Sequence, residues 1–176
     1  FWRSHIGWFM TNRHFLTDYR RIHDFARFPE LRWLNRFDVI VPIILAVTLY
    51  FVGRVLNYAA PALGVTGWQL VVWGFVVSTI LLFHATASIN SLAHLIGRRR
   101  YDTGDDSRNN FILALITLGE GWHNNHHKFR SCTRQGFYWW EIDLTYYALK
   151  FFVAIGLIWD LRPVPGKAYD HKQHLS

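Results

Sequence analysis

Four histidines and one asparagine stand at spacings that suit a metal. Asn90 and His94 are four apart in Asn90-Ser91-Leu92-Ala93-His94, and His123, His126 and His127 lie within Gly119-Glu120-Gly121-Trp122-His123-Asn124-Asn125-His126-His127. On an α-helix, residues three and four apart share a face, so His123 can point with His126 and His127, and Asn90 with His94. Four imidazoles and one amide then converge. Neutral imidazole suits iron, zinc or copper, whereas calcium or magnesium would call for carboxylates, so a transition metal is the expected guest. Glu120 and Asn124 are placed to hold an imidazole's remaining N–H, as metal-bound histidines usually require. A histidine-rich turn can also be a plain solvated turn, and the second motif beside a long apolar run argues against that.

The elements that must position these residues are apolar. Val39 to Val52 is uninterrupted and, extended to about Tyr58 with Arg54 reaching toward headgroups, it approaches the ~20 residues needed to cross a bilayer. After the turn-rich Ala60–Gly67, no residue from Trp68 to Ile96 carries a formal charge, a length of about 43 Å as a helix. His94 then falls just beyond the hydrocarbon. Arg27, Arg32 and Arg36 precede the first run and Arg98, Arg99 and Arg100 follow the second, so the positive-inside tendency puts both ends in the cytoplasm. Residues 1–36 mix Trp, Phe and Arg and suit the interface. His84 lies inside the second run; ten residues from His94 is about 280° around a helix, so it does not share that face, and Thr86, Ser88 and backbone are expected to satisfy it.

Residues 101–110 form a polar turn rich in N-cap candidates, so a helix is expected from Phe111. Phe111–Leu118 is too short to span a membrane and reads as a buried helix on the cytoplasmic side. Its inner face is expected to run through Ile112, Ile116 and Gly119 to His123. Gly119 and Gly121 would admit another backbone at close range. Leu144–Trp159 is short for a span and carries Lys150 at its middle, so it should pack on the cytoplasmic part or lie at the interface.

The NxxxH of Asn90 and His94, the Arg99-Arg100-Tyr101-Asp102 that follows, and GEGWHNNHH at 119–127 together resemble the membrane-bound acyl-CoA and acyl-lipid Δ9 fatty acid desaturases. Trp139-Trp140-Glu141-Ile142-Asp143 and Trp159-Asp160-Leu161-Arg162-Pro163 resemble the bacterial branch. The likeness runs from about residue 1 to about 166. It implies an all-α, multi-pass membrane protein. Two transmembrane helices, about 38–58 and 68–96, would carry a cytoplasmic helical cap at about 97–166 that bears the ligands, followed by a polar tail at 167–176. His171 and His174 belong to that tail.

The resemblance further implies two iron ions that activate O2, held by His94, His123, His126 and His127, with Asn90 acting through a water. Asn12 and Arg13 sit where some family members contact a coenzyme A headgroup, while Ala87 stands where many carry a tryptophan beside the acyl channel. The implied reaction inserts a cis double bond, Δ9 by resemblance, into a saturated acyl chain carried on CoA or lipid. Electrons would come from a cytochrome b5-like or ferredoxin-like donor. Two further histidine boxes expected upstream are absent, so the 176 residues read as a C-terminal fragment, inactive alone, of a bacterial inner-membrane enzyme. Histidine boxes alone leave a membrane lipid hydroxylase open, and a non-catalytic membrane protein remains the third reading.

Composition agrees with a membrane setting. Nine Trp and fourteen Phe suit rings at a water–lipid boundary or lining an acyl site. The +7 balance gathers at the ends of apolar runs instead of forming a nucleic-acid footprint. Cys132 is the single cysteine, so no intrachain disulfide forms and a reducing compartment is unopposed.

Overall fold

The computed structural model describes residues 1–8, 10 and 17–170. Among them the chain is mostly helical and forms no β-strand, only the isolated antiparallel bridges Arg98–Asn109 and Asn109–Trp122. It divides into two compact units, Phe9–Phe83 and the combination of Phe1–Trp8 with His84–Ser176. Asn12, Arg13, His14, His171 and His174 lie outside the described residues.

In the first unit, helix α1 (Pro29–Arg36) starts with its proline in the first turn, where the missing N–H costs nothing. Helix α2 (Ile40–Ala59) follows, with Pro42 tolerated near its start for the same reason. The chain then turns through Pro61–Leu63 and Gly64, whose φ of 61° is left-handed. Helix α3 (Gly67–His94) begins in this unit, its residues from His84 on belonging to the other, and opens on a capping box: Thr66 Oγ1 accepts from Gln69 N at 3.2 Å, and Thr66 N donates to Gln69 Oε1 at 2.8 Å. Two glycines allow the backbones to touch there. A Cβ on Gly53 would stand 2.7 Å from Gly67 Cα, and one on Gly67 would stand 2.7 Å from Tyr50 O. Tyr50 meets Trp68 edge to face at 5.2 Å.

Both α2 and α3 are long and apolar enough to cross a membrane, and only 6% of each apolar window is buried within the protein. The core helix of a water-soluble domain would be mostly covered. Helix α3 widens to π-helical turns at Val72–Val77, is α-helical over Ser78–Ser91, and tightens to a 3₁₀ turn at Leu92–His94.

The second unit contains helices α4 (Phe111–Ile116), α5 (His123–Lys128) and α6 (Leu144–Ala154). At eleven residues, α6 is too short to span a bilayer. Its small apolar core is aromatic: Tyr101 meets Phe129 edge to face at 5.4 Å, Phe137 packs on both, and Ala168 closes the cluster. Tyr101 donates its hydroxyl to Ala168 O at 2.6 Å, and burial pushes its pKa up to about 12. Packing therefore continues past residue 166 into the segment expected to be a polar tail.

Two further expectations are corrected. Helix α4 does not lead into the histidines: it stops at Ile116, and Leu118 (φ 58°) and Gly119 (φ 128°) turn the chain. Its buried residues are Leu113 and Ala114, while Ile112 and Ile116 are 68% and 61% exposed. An apolar period reports which face avoids water but not whether protein or lipid covers it. A Cβ on Gly121 would strike the Ala114 backbone, so the close approach expected there is made; at Gly119 the crowding group is the Asp143 carboxylate.

His84, expected to be satisfied within its own helix, also reaches beyond it. Its Nδ1 lies 3.1 Å from His5 Nε2, and His5 Nδ1 lies 2.9 Å from Ser91 Oγ. Ser88 Oγ instead donates to Ala85 O.

Candidate metal centre

Helix α5 presents its histidines because three asparagine side chains fix its rotation. Asn124 is fully buried; its Oδ1 accepts from the N–H groups of Arg100 and Tyr101 at 2.8 Å each, and its Nδ2 donates to Tyr101 O and Ser107 O at 3.0 Å. The role expected of Asn124, holding an imidazole, gives way to clamping the 100–107 loop. Asn125 exchanges hydrogen bonds with Asn109 in both directions, and its Nδ2 also donates to Glu141 Oε2 at 3.0 Å. Glu141, 1% exposed, additionally accepts from Phe137 N and Tyr138 N and pairs with Arg100. Burial alone would lower the Arg100 pKa; the hydrogen bond and charge of Glu141 outweigh it and raise it.

On this scaffold His94, His123 and His127 come together, with their ligand atoms all within 4.8 Å of one another. The Nε2 atoms of His94 and His123 are 3.1 Å apart. Two imidazole nitrogens bound to one transition-metal ion at right angles, each at about 2.1 Å, would lie about 3 Å apart. The rings of His123 and His127 are 4.2 Å apart. His123 is buried, and burial, reinforced by the neighbouring imidazoles, drives its pKa down to about 3, so its lone pair is available at neutral pH.

The partner that orients this set is Asp105. His127 Nδ1 donates to Asp105 Oδ2 at 2.5 Å, which leaves Nε2 as the other ring nitrogen, the arrangement usual for a metal-bound histidine. Burial would raise the Asp105 pKa, but hydrogen bonds from Ser107, His127 and Thr103 hold it well below the usual carboxylate range. Asp105 was one of several acids in a polar turn, and no sequence spacing singled it out. The Glu141 clamp carried a fainter signal, an isolated acid at the end of an aromatic run, which a buried basic partner would explain.

His126 lies beside the three, its ring centre 5.9 Å from that of His127 and 6.3 Å from that of His123. With Asn90 it lines a cleft of about 280 Å³ together with Thr86, Glu120, His123 and Gln135. His123 thus belongs both to the close triad and to the cleft, and the four imidazoles are linked by ring contacts of 4.2 to 6.3 Å. Burial first, then His127 and Arg130, lower the His126 pKa and favour its neutral form. Glu120 is exposed at the cleft, its carboxyl pushed up by the surrounding protein and by Asp143, and among the described residues no side-chain hydrogen bond joins it to an imidazole.

The donor set is that of a transition-metal site, and its sequence context has known relatives. The fatty acid desaturase family model matches residues 1–157. The chain belongs to the fatty acid desaturase family. It is 37% identical to an acyl-CoA 5-desaturase of Anemone leveillei over all of this chain and 51% of that protein. It is 36% identical to a palmitoyl-monogalactosyldiacylglycerol delta-7 desaturase of Arabidopsis thaliana, over all of this chain and 44% of that one. An sn-2 palmitoyl-lipid 9-desaturase of Nostoc is also 36% identical, across 89% of this chain and 52% of its own length. The chain therefore spans about half the length of the curated desaturases it matches.

Proposed function

We propose that this desaturase-family chain is part of an oxygen-dependent, iron-containing enzyme that introduces a cis double bond into a saturated fatty acyl chain carried on CoA or lipid. The observation that carries the reading is the triad of His94, His123 and His127, with two ring nitrogens at a spacing suited to one ion and His127 backed by Asp105. These three would hold one iron. His126 would serve a second, and Asn90, a poor direct ligand, would act through a water in the cleft that His126 shares with His123. Bound iron would supply O2 activation, one O2 taking two hydrogens from adjacent methylenes, two protons, and two electrons from a cytochrome b5-like or ferredoxin-like donor, and leaving as two waters. The protein's part is to keep the imidazoles neutral, fix the His127 ring through Asp105 and lock α5 through the asparagine and Glu141 clamp. A CoA headgroup contact at Asn12 and Arg13 belongs to the same reading.

The apolar helices α2 and α3 are read as spans of a multi-pass protein of the bacterial inner membrane, with the residues around the triad on the cytoplasmic side. The arginines at 27, 32 and 36 and at 98–100 support that orientation. Position Δ9 is supported by the Nostoc relative, named for position 9, although relatives at similar identity are named for positions 5 and 7.

The intact protein, given a labelled saturated C18 acyl substrate, O2 and an electron donor, should yield an alkene cleaved by ozone between carbons 9 and 10, and should purify with iron. A predominantly hydroxylated product would move the reading to a lipid hydroxylase. Protein without iron would remove the metal assignment.

A further inference from the structure

The stretch between residues 17 and 36 holds a cleft that has no part in the metal centre described above. Its volume is about 560 Å³, and it is lined by Thr17, Tyr19, Arg32, Trp33, Asn35 and Arg36. Its polar wall is already organised: Thr17 Oγ1 donates to Asn35 Oδ1 at 2.9 Å, and Asn35 Nδ2 donates to Tyr19 Oη at 3.0 Å. Arg32 and Arg36, one helical turn apart on α1, both face the cleft. The Arg32 guanidinium lies 5.4 Å from the centre of the Tyr19 ring and that of Arg36 lies 5.7 Å from Phe37, and among the described residues neither forms an ion pair. The nearby acid Asp18 is committed to Arg20 and Arg21. Two guanidiniums held on aromatic faces without a carboxylate are a phosphate-binding arrangement.

We propose that this cleft binds the phosphate of an anionic lipid headgroup at the surface of the bilayer. The apolar side of the same segment favours a lipid over a soluble phosphate. Phe25, Leu31, Trp33, Leu34 and Phe37 are all exposed, and α2 begins at Ile40, only three residues after Phe37. A soluble phosphate needs none of these rings, whereas a helix lying in the interface buries them among acyl chains while its arginines meet headgroups. The inference rests on reading α2 as a membrane span and is independent of the metal centre.

The test uses the detergent-purified protein and native mass spectrometry, with phosphatidylglycerol and phosphatidylcholine as probes and inorganic phosphate and CoA as competitors. Phosphatidylglycerol should be retained in preference to phosphatidylcholine, and the doubly substituted Arg32→Gln/Arg36→Gln protein should bind it about thirtyfold more weakly. Arg20→Gln, outside the cleft, should bind as the parent does. Equal retention of the two lipids, or unchanged retention in the double variant, overturns the proposal. Displacement of the lipid by millimolar phosphate or CoA assigns the cleft to a soluble phosphate carrier and also overturns it. Vesicle flotation separates the two readings: a parent protein that floats yet shows no lipid preference sinks this inference alone, and one that fails to float sinks the membrane reading with it.

Discussion

The two units of this molecule are built by different rules. In the unit around the histidines, polar side chains share the deepest positions with the aromatic core: Asn124, Asn125, Ser107, Glu141 and Asp143 are at most 2% exposed. In the helical hairpin the outer side chains are apolar, with Ile43 and Ile44 58% exposed, Phe51 61% and Val55 63%. A buried polar group is tolerated only when its hydrogen bonds are made, and these five make theirs; Asp143, for one, accepts from Gln135 N, Gly136 N and Tyr146 N. An outward apolar surface is tolerated only when something other than water covers it. The difference sets a directional, hydrogen-bonded scaffold around the histidines against a non-directional apolar surface on the hairpin.

The largest effect should come from breaking the polar scaffold. Glu141→Ala leaves the N–H groups of Phe137 and Tyr138 without their acceptor, unpairs the Arg100 charge and removes one of the two acceptors of Asn125 Nδ2, which keeps Gln135 O. Removing one side of a buried pair costs about 3–5 kcal/mol. Thermal unfolding of the purified protein should show it, with flotation on vesicles unchanged, since on the proposed membrane reading α2 and α3 would insert by apolar transfer. If insertion failed along with stability, the two units would not be governed by separate rules.

The next effect is smaller and confined to the metal. Asp105→Asn keeps the shape but removes the anionic acceptor of His127 Nδ1–H, so metal affinity should fall about 10–100-fold. Competition against a chelator of known affinity would measure it. Affinity unchanged in Asp105→Asn would mean that His127 is oriented by something else.

Legibility in the sequence follows the same division. The hairpin was readable because length and absence of charge are one-dimensional properties; the runs about 38–58 and 68–96 appear as Ile40–Ala59 and Gly67–His94. The histidines were readable as types at helical spacings. What sequence could not give was which imidazoles meet, since α5 is a short helix preceded by a break at Leu118–Gly119 and not the continuation of α4. Asp105, Asn109 and Glu141 were hidden for a related reason: their partners lie 16 to 41 residues away, and no local period encodes such pairings.

Within the hairpin, the sharpest packing constraint is the crossing at Gly53 and Gly67. Gly53→Ala puts a methyl 2.7 Å from the Gly67 Cα and the Thr66 carbonyl oxygen, both of them backbone, so the helices must separate. Overpacking of this kind costs about 1–3 kcal/mol. The expected readout is a lower midpoint for unfolding of the protein in detergent, with metal affinity unchanged because the crossing lies wholly within the hairpin. A stability equal to the parent's would mean that the helices do not touch at these glycines.

The smallest effect belongs to the outward face of α2. Ile44→Ala removes three carbons from a side chain 58% exposed and, on the proposed membrane reading, leaves no cavity, because acyl chains or detergent would fill the space. Stability should change by less than about 0.5 kcal/mol. The paired control is Leu113→Ala: Leu113 is 7% exposed on the buried side of α4, and the same kind of truncation should cost about 2–5 kcal/mol. Measured side by side by denaturant titration in one detergent, the pair compares an apolar contact with protein against one with lipid. Equal losses would place Ile44 against protein instead of lipid and remove the distinction between the units on which the membrane reading of α2 depends.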